Sequence, residues 1–294
     1  LIYLSTVGIQ TEKINNQIKN KVFQKNNDLE IDLKKIKLIF DPLKFKIEAK
    51  TVDANLFFKG ENLQLKYINS QISLISLIKN NFAISKLEIL SEFISLKSLI
   101  SLIRTTTNKP ELFFLESFIK KGQISVNINL DFDKNGKIKD DYRIKGKLKD
   151  AKIELFKDYN FKNLNFSLNA NNDIFDLNNL SFTANNIDFF SKNLKINRNE
   201  NFFLVEGDIE NKNSIFNNEF LKLLNFDKIK ISNTNFNSKN KFSFNIDKKL
   251  KVKNLLITSE IQVNKSEYLK PTSFSNFLTK KNDFIYIKDH KIIS

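Results

Sequence analysis

The sequence predicts a mainly β protein: an antiparallel sheet with one apolar face, an N-terminal helix and a few short helices. The first observation is a strict alternation with polar residues, carried by Ile124, Val126, Ile128, Leu130 and Phe132. A period of two places alternate side chains on the same face of a strand. The second is the Asn135-Gly136 pair, which is typical of a tight hairpin turn. The third is that the alternation then resumes at Ile138, Tyr142, Ile144 and Leu148, which predicts a returning strand with the same apolar face.

Residues 11–121 mix helical and strand periods. Thr11 as an N-cap and apolar residues at spacings of four predict a helix over residues 11–24: Ile14, Ile18 and Val22. Strand-like alternation follows from Leu29 to Tyr67, and Leu74 to Ile78 has the spacing of a helical turn. Helical spacing returns at residues 95–104, after an N-cap at Ser95, and at residues 112–121. We expect the second of these helices to end at Gly122, a residue preferred just after a helix.

The apolar alternation over residues 122–294 predicts a β-meander. The phase of the alternation shifts at Lys149-Asp150, where we expect a second chain reversal before the pattern continues in Ala151, Ile153 and Leu155. Asn-Leu pairs recur where strands are expected to begin after a turn: Asn62-Leu63, Asn163-Leu164, Asn179-Leu180, Asn193-Leu194 and Asn254-Leu255. Helical spacing interrupts the strands over residues 214–224. The recurrence supports a repetitive sheet rather than a solenoid of fixed period.

Domain organisation is predicted to be simple, because no Pro-, Gly- or Ser-rich linker divides the chain. We expect residues 1–294 to form a single elongated unit. The chain starts at Leu1 without Met and stops at Ser294 within an apolar pattern, so we also expect a fragment truncated at both ends. Residues 1–10 are mostly apolar but shorter than the roughly 20 residues of a membrane span. They fit either the tail of a transmembrane helix or a strand.

Composition argues against catalysis and metal binding. The chain has one histidine, His290, and no Cys, so a catalytic triad, a His base or a Cys-ligated metal has almost no residues to use. The carboxylates around residues 131–141 flank a turn, where Asp is common for backbone reasons. We therefore expect a protein that is not an enzyme, with no cofactor, no metal and no catalytic residue.

The formal net charge of +15 suggests nucleic acid or an anionic membrane surface as a partner. Lys is nevertheless spread through nearly every segment, which is typical of a solvated polar face. The abundance of Lys, Asn, Ile and Phe, all with A- and T-rich codons, indicates a skewed genome. We expect no nucleic-acid partner, and nucleic-acid binding stays a remote alternative that predicts affinity falling steeply with salt.

The order of these segments resembles a known family. An apolar start at Tyr3 to Ile9 precedes a helix and strands, residues 84–103 read as a strand followed by a helix, and residues 118–122 lead into the regular meander. In this order the chain resembles the periplasmic part of AsmA-like proteins, the family that includes TamB and YhdP and is related to bridge-like lipid transfer proteins. The resemblance implies an upstream inner-membrane helix, a location on the periplasmic face of a Gram-negative bacterium, and transport of phospholipid toward the outer membrane. It offers no catalytic residues.

An apolar sheet face has to be covered, because each exposed Leu, Ile or Phe forfeits roughly 1.5 to 3 kcal/mol relative to burial. The pattern alone favours a second sheet that closes a sandwich, which fits a passive scaffold with outer-membrane assembly proteins as partners. The resemblance instead favours a curved, elongated, taco-like groove that holds phospholipid acyl chains. In that groove the lipid-binding residues are Val126, Ile128, Leu130, Ile144 and Leu148, whereas Ser125, Asn127 and Asn129 face water.

Overall fold

The computed structural model describes residues 2–13, 15–79, 83–107, 110–155, 159–215, 231–249, 251–269 and 284–293. The described residues form five helices and sixteen strands. The helices are α1 Ile2–Thr6, α2 Asn15–Lys25, α3 Leu74–Ile78, α4 Leu96–Thr107 and α5 Pro110–Phe118. The strands are β1 Ile9–Thr11, β2 Leu29–Asp32, β3 Ile36–Asp41, β4 Lys46–Phe58, β5 Glu61–Ser73, β6 Ile84–Ser91, β7 Ile94–Ser95, β8 Ile119–Asp131, β9 Arg143–Leu155, β10 Tyr159–Ala170, β11 Ile174–Ala184, β12 Ile187–Arg198, β13 Phe202–Ile215, β14 Ile231–Asp247, β15 Val252–Leu269 and β16 Phe284–Ile293.

The predicted fold class is confirmed: the described chain is mainly β, its strands pair antiparallel, and its helices are few and short. The predicted N-terminal helix is α2, which begins at Asn15 rather than at Thr11. The predicted cap of α4 is present, because the Ser98 N–H donates to Ser95 Oγ at 3.3 Å. Within the described residues, no helix combines the length and the apolar character that a bilayer crossing requires.

Contacts divide the chain into two compact units. The first contains Leu1–Ile153 and Ser167–Phe175, and the second contains Glu154–Phe166 and Asp176–Ser294. The strands β9, β10 and β11 contribute residues to both. The expectation that residues 1–294 form a single elongated unit stays a prediction.

In the first unit the strands lie in the order β1-β3-β4-β5-β6-β8-β9, with β2 paired to β4 and β7 paired to β8. The order follows the chain because short turns join most neighbours, as in a meander. Helix α2 packs against β2, and α4 packs against β8. The main buried cluster of this unit lies between α2 and the sheet: Ile31, Leu33, Ile36, Ala54 and Leu65.

In the second unit β11 to β16 lie side by side in chain order. The pair β14–β15 is the longest hairpin, with Phe242 opposite Ile257, and β13 pairs with β14 through Val205 and Phe244. Buried apolar residues of this unit are Leu180, Ile187, Val205 and Phe236. The rings of Phe182 and Phe189 stack at 5.3 Å between centroids.

The prediction of a helix over residues 112–121 is wrong at its C-terminal end. Helix α5 ends at Phe118, and Ile119 already pairs with Ile153 as the buried first residue of β8. Gly122 therefore lies inside a strand, with φ +146°, instead of capping a helix. A Cβ at this position would lie 2.7 Å from Ala151 Cβ, so the glycine permits a close approach of two backbones.

The predicted reversal at Lys149-Asp150 is also wrong, because β9 runs without interruption from Arg143 to Leu155. Asp150 has φ +49°, and the register between β8 and β9 shifts beside it. Such a bulge inserts one residue and so changes the phase of the alternation without ending the strand. The prediction for Asn62-Leu63 is confirmed, because β5 begins at Glu61 directly after a turn. The later Asn-Leu pairs lie inside strands, and Asn163, Asn179 and Asn254 have φ of 52° to 53° there. Of the helix predicted over 214–224, residues 216–224 lie outside the described residues.

Candidate functional site

The five residues predicted to bind lipid lie on one face of the β8–β9 pair. Ile128 is directly opposite Ile144, Val126 is opposite Gly146, and Leu148 is opposite Ile124. Since alternate residues of a strand share a face, Leu130 belongs to the same face as Val126 and Ile128. Ser125 and Asn127 pair with Lys147 and Lys145 on the other face. The structure thus brings the five residues together, and their role in binding lipid stays a prediction.

The same face continues across the first unit. One row of directly opposed residues crosses six strands: Ile36, Thr51, Ile68, Ile89, Ile128 and Ile144. A second row runs beside it: Leu38, Ala49, Ser70, Leu87 and Leu130. A third row contains Phe40, Ile47, Ile72 and Ile84. We call these three rows, with Val126 and Leu148, the apolar face.

One end of the apolar face is covered by α2, and we call it the covered end. Ile18 and Val22 of the helix pack against the buried cluster that contains Ile36. Two hydrogen bonds of 3.0 Å hold the helix in place, from Asn15 Nδ2 to the carbonyl oxygens of Leu33 and Lys34. An ion pair of 2.8 Å between Lys19 and Asp32 adds to them at the surface. Apolar and polar contacts together fix α2 against β2 and the buried cluster.

The other end of the apolar face is only partly covered, and we call Ile128, Leu130 and Ile144 the open end. Each of these side chains is half-buried, so water reaches part of its surface. Val126 and Leu148, closer to the start of β8, are buried. The predicted site therefore contains two packed residues and three that a ligand could cover.

The opposite face of the sheet carries a polar network. The Tyr67 hydroxyl donates to Glu88 at 2.7 Å, and Asn127 Nδ2 donates to the same carboxylate at 3.2 Å. The hydrogen bond to Glu88 raises the pKa of Tyr67, and partial burial adds to this effect. Asn127 is therefore half-buried within the network, whereas Asn129 is exposed as predicted.

A shallow depression of about 250 Å³ lies on this polar face, beside Lys86, Glu88, Arg143 and Lys145. Lys86 and Asp131 form an ion pair of 3.5 Å at its border. Among the described residues, no group of three or more His, Cys, Asp or Glu side chains is arranged to hold a metal ion. The polar face thus presents mixed charges and amides, whereas the apolar face carries no charged side chain, and its polar groups are the hydroxyls of Thr51 and Ser70.

Sequence reasoning found the apolar residues of β8 and β9 but missed their partners across the sheet. Ile68 and Ile89 lie in the same row as Ile128, yet the periodicity of one strand does not reveal which strands are neighbours. The sequence shows only the alternation within each strand.

No protein-family model, curated protein or solved structure matches this chain. The likeness to AsmA-like proteins therefore remains an interpretation of the sequence.

Proposed function

We propose that the apolar face holds acyl chains of phospholipids, with the hydrocarbon lying against the open end. The observation that supports this function is the continuity of the face: a packed core under α2 extends, row by row, into half-buried Ile128, Leu130 and Ile144. A bound acyl chain would complete the burial that α2 provides at the covered end. Covering hydrocarbon contributes about 0.8 kcal/mol per buried methylene group.

The division of the sheet into two faces supports the same function. Acyl chains need a surface without charge, because an unpaired charge facing hydrocarbon is costly. On the polar face, the charged residues Lys145 and Arg143 of β9 lie opposite Asn127 and Asn129 of β8. A lipid on the apolar face would therefore meet Ile and Leu side chains while water solvates the other side of the sheet.

The cellular setting is proposed from the sequence resemblance. An AsmA-like role would place the protein on the periplasmic face of the inner membrane, anchored by an upstream helix. Phospholipid would then move along the apolar face toward the outer membrane, and outer-membrane assembly proteins would be partners. The chemistry would be non-covalent, without catalytic residues or a cofactor.

Lipid bound to the purified protein tests this function. Protein produced in bacteria is extracted with organic solvent, and phospholipid in the extract is quantified by mass spectrometry. We expect Ile128→Asp to reduce bound phospholipid several-fold, because it places a charge in the open end. The matched control is Asn129→Asp, the neighbouring residue on the polar face, which should leave lipid content unchanged. Protein that stays folded yet contains no phospholipid and takes up no fluorescent phospholipid would contradict the proposal.

A passive scaffold is the second candidate, and the burial of Val126 and Leu148 favours it. Side chains packed to that degree belong to a protein core, and in a scaffold the whole apolar face would be closed by protein. This function predicts a folded, lipid-free protein in which Ile128→Asp destabilises the fold and changes no lipid content. The extraction experiment therefore separates the two candidates.

A further inference from the structure

We infer that the turn between β3 and β4, together with α3, forms a surface that contacts a lipid bilayer. Four large apolar side chains are exposed there: Leu43 at 95%, Ile78 at 82%, Phe45 at 53% and Ile75 at 52%. We call these four residues the apolar tip. Single exposed apolar residues are ordinary on protein surfaces, but a cluster of them marks an interaction site.

The four residues belong together because the backbone joins their two elements. The N–H of Leu74, the first residue of α3, donates to the carbonyl oxygen of Phe45 at 3.1 Å. In addition, Lys46 at the start of β4 pairs with Ser73 at the end of β5, directly before α3. The turn and the short helix therefore lie side by side at one end of the first unit.

The turn holds Leu43 outward in a defined conformation. The Asp41 carboxylate accepts hydrogen bonds of 3.1 Å from the N–H groups of Leu43 and Lys44. Phe45 adopts φ +50°, which brings its ring against Phe40 with 6.2 Å between centroids in an edge arrangement. Because Phe40 belongs to the apolar face, hydrocarbon surface continues from that face to the tip.

Charges around the tip fit an anionic lipid surface. Lys44 lies between Leu43 and Phe45, Lys46 follows, and Lys79 directly follows Ile78. The nearby acid, Asp41, already forms an ion pair of 3.5 Å with Lys44. Long cationic side chains beside inserted apolar residues can reach lipid headgroups while the apolar groups enter the boundary of the acyl chains.

The N-terminal helix lies at the same end of the sheet. Strand β1 runs antiparallel to β3, with Ile9 opposite Leu38 and Thr11 opposite Ile36. The segment before Ile9 therefore lies toward the end of β3 that leads into the turn, and α1 contacts β3 there. Tyr3 of α1 is 65% exposed, so this end of the unit carries an exposed aromatic side chain in addition to the apolar tip. This inference does not depend on acyl chains binding to the apolar face.

A single tryptophan tests the inference, because the natural chain has none. Leu43→Trp reports on the apolar tip, and Phe190→Trp, at a position 48% exposed in β12 and opposite Glu210, is the matched control. Each variant of the full chain is mixed with vesicles of phosphatidylcholine containing phosphatidylglycerol. We expect a blue shift for Leu43→Trp and at least twofold quenching by brominated acyl chains, and neither for Phe190→Trp. Equal quenching of the two tryptophans, or none at Leu43→Trp in folded protein, would overturn the inference.

Vesicle flotation of the double variant Leu43→Ser, Ile78→Ser gives a second readout. Removing two inserted side chains should lower the partition coefficient on the order of tenfold or more. Vesicles of phosphatidylcholine alone should bind the unchanged protein more weakly than anionic vesicles, because the Lys side chains then lose their partners. Unchanged partitioning of the double variant would overturn the inference. Because this assay uses intact vesicles, its result is separate from the lipid content of the purified protein.

Discussion

The covered and open ends of the apolar face share a pattern and differ in what covers them. Ile36 and Ile128 lie in the same row of cross-strand neighbours, yet Ile36 is buried under α2 and Ile128 is only half-buried. The alternation of each strand specifies which side chains share a face. It does not specify whether a helix, a second sheet or a lipid covers that face, so burial has to be read from the tertiary structure.

The largest expected effect is at the covered end. Ile36→Ala removes a buried side chain and leaves a cavity, so it should lower the free energy of unfolding by about 3 kcal/mol. The same substitution in the same row, Ile128→Ala, should cost about 1 kcal/mol, because water already reaches part of that side chain. Urea unfolding followed by circular dichroism measures both. Equal losses would show that the two ends are equally covered in solution and would remove the distinction between them.

Close backbone packing beside α4 gives the next prediction. Gly122→Ala places a methyl group 2.7 Å from Ala151 Cβ, and the backbone φ of +146° is itself unfavourable for Ala. We expect a loss of about 2 kcal/mol in the free energy of unfolding, by strain and overpacking.

The control is Gly60→Ala in the turn between β4 and β5, where nothing lies within 4 Å of the added methyl group. Only its φ of +80° opposes the substitution, so about 1 kcal/mol is expected. If Gly122→Ala lowers the free energy of unfolding no more than Gly60→Ala does, the close contact with Ala151 does not contribute to the destabilisation.

The smallest effect concerns the loop that follows the open end. Asp133 accepts N–H groups of Asn135 at 2.8 Å and Lys137 at 2.9 Å, and the hydrogen bond from Lys137 is the main cause of a lowered pKa for this carboxyl. A carboxyl whose pKa is lowered in the folded state stabilises the fold at pH values above its ordinary pKa, which is near 3.8. This contribution is lost as the pH falls through the lowered pKa.

Asp133→Ala should therefore lower the urea midpoint slightly at pH 6, and the difference from the unchanged protein should shrink toward pH 3. Asp141→Ala, which removes an exposed carboxylate near the end of the same loop, is measured at the same pH values as the control for loss of a surface carboxylate. A difference that stays constant with pH would assign the effect to lost packing rather than to the charged hydrogen bonds.

Local chemistry was sufficient to predict much of the fold. The alternation in β8, the helix α2 and the Ser95 cap of α4 all depend on neighbours within a few residues. The bulges were missed because Asn and Asp serve both in turns and in left-handed positions inside strands, and sequence alone does not separate the two. Gly122 was wrongly predicted to follow a helix for a similar reason. The position requires glycine because Ala151 on another strand lies too close for a side chain.

The candidate site was predicted in part. The shared face of Ile128 and Ile144 follows from the period and the turn, because a hairpin joins their strands. The extension of that face to Ile36 depends on pairing between distant strands, and its coverage depends on where α2 packs. Both are tertiary properties, which explains why Val126 and Leu148 were assigned to a lipid surface although the structure buries them.

Photo-crosslinking tests most directly whether the open end holds acyl chains. A benzophenone amino acid is placed at Ile128, at its sequence neighbour Asn129 on the polar face, and at Ile36 in the covered end. After irradiation of protein produced in bacteria, intact-mass spectrometry should show phospholipid adducts at Ile128 and almost none at Asn129 or Ile36. Equal adducts at Ile128 and Asn129, or none at Ile128 in folded protein, would contradict the lipid-holding function.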